Sequence, residues 1–178
     1  MVNAADVVAF WRQAGMQAWF RGGEDFDRQC EEGFLQAHLL AARGRCAHWL
    51  DTPEGALGLL LLLDQIPRNV FRGSGHAYAT DGLARHYAAR ALEAGHDAAF
   101  EPMLRGFFYL PFEHSEDPAD QQRSVDLFAA LGVETYARYA IEHREVIARF
   151  GRFPHRNHAL GRQNTPDEQA WLDAGGGF

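Results

Sequence analysis

The chain has 178 residues, of which 47% are hydrophobic, and its 24 acidic and 17 basic residues give a formal net charge of −7. This size and composition are typical of one folded domain and argue against a disordered chain. The acidic excess argues against non-specific nucleic-acid binding. All 17 basic residues are arginines, and the absence of lysine excludes a Schiff-base lysine and a phosphate loop that ends in Gly-Lys-Ser/Thr.

Three further features limit the class of protein. Cys30 and Cys46 have no CxxC spacing, so we expect two buried, reduced thiols rather than a disulfide or a zinc site. The first residues do not show a basic segment followed by an apolar one, and we therefore predict no signal peptide. The longest apolar stretch, 57–63, is shorter than the ~20 residues that a membrane span requires. We expect a cytoplasmic protein with no membrane partner.

Helical periodicity divides the first half of the chain into four predicted helices. The first covers 6–14 and the second covers 26–43, and each ends at a glycine. Thr52-Pro53 is typical of an N-cap followed by proline in the first turn, and this third helix continues through LGLLLLLDQI to Pro67. Because the run is apolar on every side, we predict that it is the central, most buried helix. The fourth helix covers about 77–94.

The second half of the chain continues the helical pattern. A short aromatic helix is predicted at 101–110, and longer ones at 117–131 and 134–150. Thr165-Pro166-Asp167-Glu168 has the sequence of a capping box and predicts a last short helix. Neither an alternating strand pattern nor an Asn-Gly hairpin is found. The sequence therefore predicts one all-α domain over residues 1–178, with about eight helices arranged in antiparallel pairs.

Three segments between helices are longer and more polar than a connector requires, and we expect the chemistry of the protein there. The first, LDQIPRNVFRGSG, places Asp64 at the end of a buried helix, where a carboxylate is unfavourable without a partner. Asp64 could pair with Arg68 or Arg72 and stabilise the turn. Alternatively, the two arginines could bind a carboxylate or a phosphate. Asp81 and Arg85, four residues apart, predict a surface ion pair.

The second segment, GFFYLPFEHSEDPADQQ, brings histidine and carboxylates together after an aromatic run. Such a set suits general acid–base chemistry or an oxygen-rich metal site. Asp117 is explained as an N-cap and Asp120 as a first-turn acid. Tyr109, His114 and Glu116 are not explained in this way. No two-histidine helix motif accompanies them, and we predict no metal.

The third segment covers 151–165 and belongs to a basic stretch of the chain. Six arginines stand against two glutamates within 138–162, whereas 113–134 has six acids against one arginine. These opposite patches could face each other as a salt-bridged seam. Alternatively, Arg152, His155 and Arg156 could line a pocket for an anion, because neighbouring aromatic residues can anchor the loop. Specific RNA binding through the same arginines is a third possibility.

Taken in this order, the three segments resemble the bacterial domain-of-unknown-function family 924, which is grouped with the tetratricopeptide-like helical folds. The resemblance extends from Phe10-Trp11 to Trp171-Leu172. It implies an α-α superhelix of antiparallel helix pairs and implies no defined activity. One departure is Asp117-Pro118, where the family pattern has Asp-Leu, and this change supports the N-cap. The residues that match the family pattern are Asp64, Gln65, Pro67, Arg68, Asn69, Arg72, Asp81, Arg85, Tyr109, Pro111, His114, Ser115, Glu116, Asp120, Gln121, His143, Arg152, Pro154, His155, Arg156 and Asn157.

Our leading hypothesis is that the three polar segments converge on one cleft that binds a small anionic molecule bearing a phosphate or a carboxylate. If the cleft is catalytic, hydrolysis or group transfer is the expected reaction class, and no cofactor is identified. The predicted ligand-binding residues are Asp64, Arg68, Asn69, Arg72, Arg152, Arg156 and Asn157. The predicted catalytic residues are Tyr109, His114, Glu116, His143 and His155.

The alternative is a tetratricopeptide-like module that binds a peptide or a protein without catalysis. It predicts an exposed groove and no buried contact between a histidine and a carboxylate.

Overall fold

Helices account for the architecture: residues 2–178, which the computed structural model describes, contain α-helices and short 3-10 turns and no β-strand. The prediction of an all-α fold is confirmed. The first half of the chain forms α1 (Ala4–Arg21), α2 (Glu24–Ala42), α3 (Pro53–Leu60), α4 (Ile66–Val70) and α5 (Asp81–Glu93). The second half forms α6 (Pro102–Arg105), α7 (Leu110–Glu113), α8 (Pro118–Leu131), α9 (Glu134–Phe150) and α10 (Pro166–Asp173).

The centre of the molecule is the continuous rod made by α3, a π-helical turn at Leu61–Gln65, and α4. Every residue from 55 to 67 is buried. Helices α1 and α5 pack against α3, and α2 packs against both the π turn and α4. The apolar LGLLLLLDQI run is therefore the buried central helix that its sequence predicts.

The helix was expected to end at Pro67, yet it continues to Val70 because the π turn accommodates the proline. Proline has no amide hydrogen and its ring crowds the carbonyl one turn earlier. Side chains satisfy the carbonyl groups at this point instead. His38 Nδ1 donates to the Leu62 carbonyl at 2.7 Å, and Thr80 Oγ1 donates to the Leu63 carbonyl at 2.5 Å. Arg68 Nη1 donates to the Asp64 carbonyl at 2.5 Å.

Local signals placed most helix ends correctly. Asp117 accepts a hydrogen bond from the Ala119 amide, and Thr165 and Glu168 form the predicted capping box. Gly15, with φ of 71° and ψ of 175°, is not helical and kinks α1 where the first helix is predicted to end. A second helical segment, which the sequence does not predict, continues from this kink to Arg21. Likewise α5 begins at Asp81, later than predicted, because residues 75–78 form a separate 3-10 turn.

Helices α8 and α9 pack against each other, and α7 joins this pair to the centre of the fold. A second apolar cluster forms where Val146 and Ile147 of α9 meet Phe153, with Trp171 of α10 against it. Cys30 and Cys46 are both buried and free, as expected. No described helix is long and apolar enough to cross a membrane. The tetratricopeptide-like arrangement of the helix pairs stays a prediction.

Candidate functional site

A cluster of ionisable side chains is buried where the π turn, α4, α5, α7, α9 and the 3-10 turn Pro154–Arg156 meet. The first polar segment of the sequence contributes Asp64 and Arg68, the second contributes His114, and the third contributes Arg156. We call this set the buried cluster. Its members are Asp64, Arg68, Asp81, Glu113, His114, His143 and Arg156.

Arg68 joins two carboxylates in the middle of the buried cluster. Its Nη1 lies 3.1 Å from Asp64 Oδ1, and its Nη1 and Nη2 donate to the two oxygens of Asp81 at 2.9 and 3.0 Å. Burial alone would raise the pKa of Asp64, but the neighbouring charge of Arg68 and the hydrogen bond with His114 hold it well below its usual value. Asp64 is therefore an ionised carboxylate.

His114 and Asp64 form a close pair, with His114 Nδ1 2.8 Å from Asp64 Oδ1. Burial lowers the pKa of His114, and the positive charge of Arg68 lowers it further, so the imidazole is neutral near pH 7. An ionised carboxylate can only accept a hydrogen bond, so Nδ1 carries the imidazole proton. Nε2 of His114 is left with a lone pair, which is the form of a general base.

Arg156 lies between aromatic rings, with its guanidinium carbon 4.6 Å from the centroid of Tyr78 and 4.5 Å from that of Phe153. Its Nη1 is 3.3 Å from Asp81 Oδ2, whereas its Nε is buried and has no hydrogen-bond partner in the described chain. Burial and the charge of Arg68 lower the pKa of Arg156 to about 10. The guanidinium is thus short of negative charge, and an anion beside it would stabilise it.

Glu113 and His143 form the other end of the cluster, with 3.6 Å between Glu113 Oε1 and His143 Nδ1. Burial, together with the negative charges of Asp64 and Glu142, raises the pKa of Glu113 to about 8, so this carboxyl is protonated at neutral pH. Burial lowers the pKa of His143 to about 3, and its Nδ1 donates to the Tyr139 carbonyl at 2.8 Å. Glu113 Oε2 is buried without a partner among residues 2–178.

His155 lies next to Arg156, and its Nδ1 is a further buried nitrogen without a partner in the part of the chain that is described. Burial and the charge of Arg156 lower the pKa of His155 to about 4. Together with Arg156 Nε and Glu113 Oε2, three polar atoms from residues at or beside the cluster are unsatisfied. Buried polar atoms are normally hydrogen-bonded, so each such exception calls for an explanation.

Two residues of the first segment do not join the cluster. Arg72 pairs instead with Asp27 of α2, at 2.7 and 2.8 Å, on the surface of the molecule. Asn69 donates to the Gln65 carbonyl and accepts from Arg72. Of the two arginines considered for Asp64, only Arg68 pairs with it.

The third segment divides in the same way. Arg152 pairs with Glu168 of α10 at 2.6 and 2.8 Å, and Asn157 bonds to Asn164 and Glu168. Both side chains therefore hold the loop on α10. Of the three residues Arg152, Arg156 and Asn157, only Arg156 belongs to the buried cluster, through its contact with Asp81.

Glu116 and Tyr109 also have partners elsewhere. Glu116 accepts a bidentate pair of hydrogen bonds from Arg162 at 2.8 and 2.9 Å, and a third from the Phe153 amide. This contact is part of the salt-bridged seam that the opposite charges of the two segments predict. Tyr109 donates its hydroxyl to Asp97 Oδ2 at 2.7 Å.

Two cluster residues were not assigned to a site from the sequence. Asp81 was expected to pair with Arg85, but it binds Arg68 and Arg156, while Arg85 pairs with Asp120 at 3.0 Å. Glu113 directly precedes His114 and follows an apolar Leu-Pro-Phe run, which is a signal of burial. Within residues 2–178, no three His, Cys, Asp or Glu side chains are grouped so that they could hold a metal ion.

Fold and site together define an all-α protein with a buried cluster of ion pairs and neutral imidazoles. The model of a family described as bacterial protein of unknown function (DUF924) matches residues 7–176, and the chain belongs to that family. The chain is also similar to the solved structure of the protein of unknown function ATU0120 from Agrobacterium tumefaciens, with 50% identity and a TM-score of 0.93. The similarity covers 96% of this chain and 97% of that one. Among curated proteins, no match to the chain is found.

Proposed function

We propose that the buried cluster binds a small compound that carries a carboxylate or a phosphate, and that His114 acts on this compound as an acid–base group. The observation that carries the proposal is the buried guanidinium of Arg156, whose Nε has no partner in residues 2–178. Planar guanidinium groups bind carboxylates and phosphates through two parallel N–H donors. A ligand oxygen beside Nε would satisfy this donor and balance its charge.

The electrostatics of the site support an anionic ligand. Burial, and to a smaller extent the positive charge of Arg156, lowers the pKa of His143 and of His155, so these imidazoles are neutral and add no charge that would compete for an anion. Glu113, being protonated at neutral pH, adds a hydrogen-bond donor rather than a negative charge. Ion pairs buried in this way seldom add net stability compared with apolar packing, which supports a role other than stability.

The catalytic part of the proposal depends on His114 and Asp64. Asp64 orients the imidazole through Nδ1–H, and the lone pair of Nε2 takes a proton from water or from a hydroxyl nucleophile. The reaction class is then hydrolysis or group transfer. The peptide-binding alternative requires no buried contact between a histidine and a carboxylate, and the His114–Asp64 pair therefore favours the ligand site.

The test measures ligand-induced thermal stabilisation with inorganic phosphate, acetate, benzoate and phenyl phosphate. We expect at least one of them to raise the melting temperature of the unmodified protein, since a ligand at about 100 times its Kd stabilises by roughly 2.7 kcal/mol. Arg156→Gln should remove this shift, and Arg156→Lys should reduce it. Arg144→Gln, which changes an arginine on the surface of α9, should leave it unchanged.

Comparing shifts rather than absolute melting temperatures separates binding from the stability of each variant. Circular dichroism shows whether each variant has the helix content of the unmodified protein. An equal shift in Arg156→Gln and in the unmodified protein would contradict the proposal. So would the absence of a shift with every anion of the series.

A further inference from the structure

The glycine-rich segment (residues 175–178) lies over one end of the buried cluster. The ring of Phe178 stacks on the imidazole of His143, with 3.6 Å between the centroids and 14° between the planes. Its edge meets His155 at 5.7 Å and Phe153 at 6.2 Å in perpendicular arrangements. Phe178 therefore fills a flat slot with walls formed by these three residues.

Backbone contacts hold only the first half of this segment. The amides of Gly175 and Gly176 donate to the Leu172 and Trp171 carbonyls, each at 2.9 Å. The Gly176 backbone lies so close to the Trp171 ring that a Cβ atom at this position would clash with the ring, which favours glycine there. In contrast, Gly177 and Phe178 make no backbone hydrogen bond within residues 2–178.

Phe178 is therefore held by side-chain contacts, among them those with the three rings, and by no backbone hydrogen bond within residues 2–178. Such contacts are weak. An aromatic pair contributes little beyond the apolar area that it buries. Phe178 is still 51% exposed despite these contacts. Glycine-rich backbone is also costly to order, because it has the largest conformational freedom to lose. A ligand that uses the same slot can displace this ring.

Phe153 contacts both the ring in the slot and the Arg156 guanidinium. The Phe153 ring contacts the Arg156 guanidinium at 4.5 Å, and the ring of Phe178 at 6.2 Å. The slot and Arg156 thus border the same ring, so one ligand that extends along Phe153 can contact both.

We propose that the slot between His143, Phe153 and His155 binds a planar aromatic ring of the ligand, and that Phe178 occupies this slot until the ligand displaces it. The inference rests on the proposed function, and it narrows the ligand class to an aromatic carboxylate or an aromatic phosphate. The anion contacts Arg156 and the ring takes the place of Phe178. A saturated ring is too thick to stack at 3.6 Å on His143 as Phe178 does.

The test compares benzoate with cyclohexanecarboxylate, an anion of similar size without a flat ring, by isothermal titration calorimetry on the full chain. Benzoate should bind more tightly than cyclohexanecarboxylate. Phe178→Ala should bind benzoate about two- to tenfold more tightly than the unmodified protein, because the ligand no longer competes with a stacked ring. The affinity for inorganic phosphate, which does not enter the slot, should be the same in both proteins.

Two variants serve as controls. Phe178→Tyr keeps a ring that can stack on His143 and should bind benzoate like the unmodified protein. Phe20→Ala removes an equally exposed phenylalanine that packs on Phe107 instead, and should leave benzoate affinity unchanged. Displacement itself is measurable, since nuclear Overhauser contacts between the Phe178 and His143 rings should disappear when benzoate is added.

The two proposals fail in different ways. If phosphate binds and Arg156→Gln abolishes it, while Phe178→Ala leaves benzoate affinity unchanged, the anion site stands and the aromatic slot is wrong. Equal affinities for benzoate and cyclohexanecarboxylate would lead to the same conclusion. If no carboxylate or phosphate probe binds to the unmodified protein or to Phe178→Ala, both proposals are overturned.

Discussion

At the scale of single residues, two buried carboxyl groups of the cluster have opposite protonation states. Asp64 and Glu113 are both almost inaccessible to water. Arg68 and His114 contact Asp64 and stabilise its charge, whereas Glu113 has a neutral imidazole on one side and unfavourable negative charges of Asp64 and Glu142 around it. The cluster thus contains both an ionised and a protonated carboxyl at neutral pH.

The protonation of Glu113 predicts a pH dependence of stability. Its pKa rises from 4.5 to about 8 on folding, so the folded protein keeps a proton that the unfolded chain releases. Its stabilising effect is complete below pH 4.5 and is lost as the pH rises towards 8. Glu113→Gln mimics the protonated form, so its unfolding free energy relative to the unmodified protein should increase over this range, by up to about 1.4 kcal/mol per pH unit.

Urea unfolding at a series of pH values measures this difference. Glu145→Gln, a substitution at an exposed position of α9, is the control and should give a difference independent of pH. A constant difference for Glu113→Gln as well would show that Glu113 is ionised in the folded protein.

The Asp64 carboxylate predicts an unequal cost for two equivalent substitutions. Asp64→Asn removes the charge from a buried pair and leaves Arg68 with one carboxylate, which should cost about 3–5 kcal/mol of unfolding free energy. Asp27→Asn breaks the pair with Arg72, whose side chain is 60% exposed, and should cost at most about 1 kcal/mol. Urea denaturation of both variants checks this, and equal costs would contradict it.

At the scale of elements, the π turn positions the first half of the site. It allows the central rod to continue past Pro67, so that Arg68 of α4 reaches the Asp81 side chain at the start of α5. Turns of this type are rare and are often found at functional sites. The three carbonyls that accept from side chains connect the turn to α2, to Thr80 just before α5, and to Arg68 of α4.

Thr80 gives a direct test of this arrangement. Thr80→Val keeps the shape of the side chain but leaves the buried Leu63 carbonyl without its donor, which should lower the unfolding free energy by about 1–3 kcal/mol. Thr80→Ser retains the hydroxyl and should cost less. If the two variants were equally stable in urea, the hydrogen bond to Leu63 would contribute nothing.

At the scale of the whole molecule, the sequence predicts the features that depend on residues close together in the chain, such as helix caps and the burial of a helix. The capping residues Asp117 and Thr165 bond to amides within three positions, and the apolar run of the central helix marks its burial directly. Partner choice among the charged residues depends on how distant helices pack. Arg152 and Arg156 lie four residues apart in the same polar segment, and nothing in the sequence distinguishes their partners. In the structure, Arg152 pairs with Glu168 of α10 and Arg156 pairs with Asp81 of α5.

Only part of the site can be predicted from the sequence, because the partners of its charged residues lie on distant helices. His114, Asp64, Arg68 and Arg156 lie in the polar segments and meet in the structure. The i, i+4 spacing predicts that Asp81 pairs with Arg85. In the structure, the face of α5 that carries Asp81 is turned towards the π turn and α4, and Asp81 pairs with Arg68. Long-range geometry of this kind has no signature at i, i+4.

The widened turn at Leu61–Gln65 also changes the angular phase of the central rod. An α-helix advances by about 100° per residue, so one additional residue in a turn rotates everything after it by about that angle relative to what precedes it. The rod can therefore present leucines to the core along α3 and then direct Arg68 towards Asp81. Deleting one residue from this turn would bring the two halves back into phase and rotate these side chains away from the positions that they occupy.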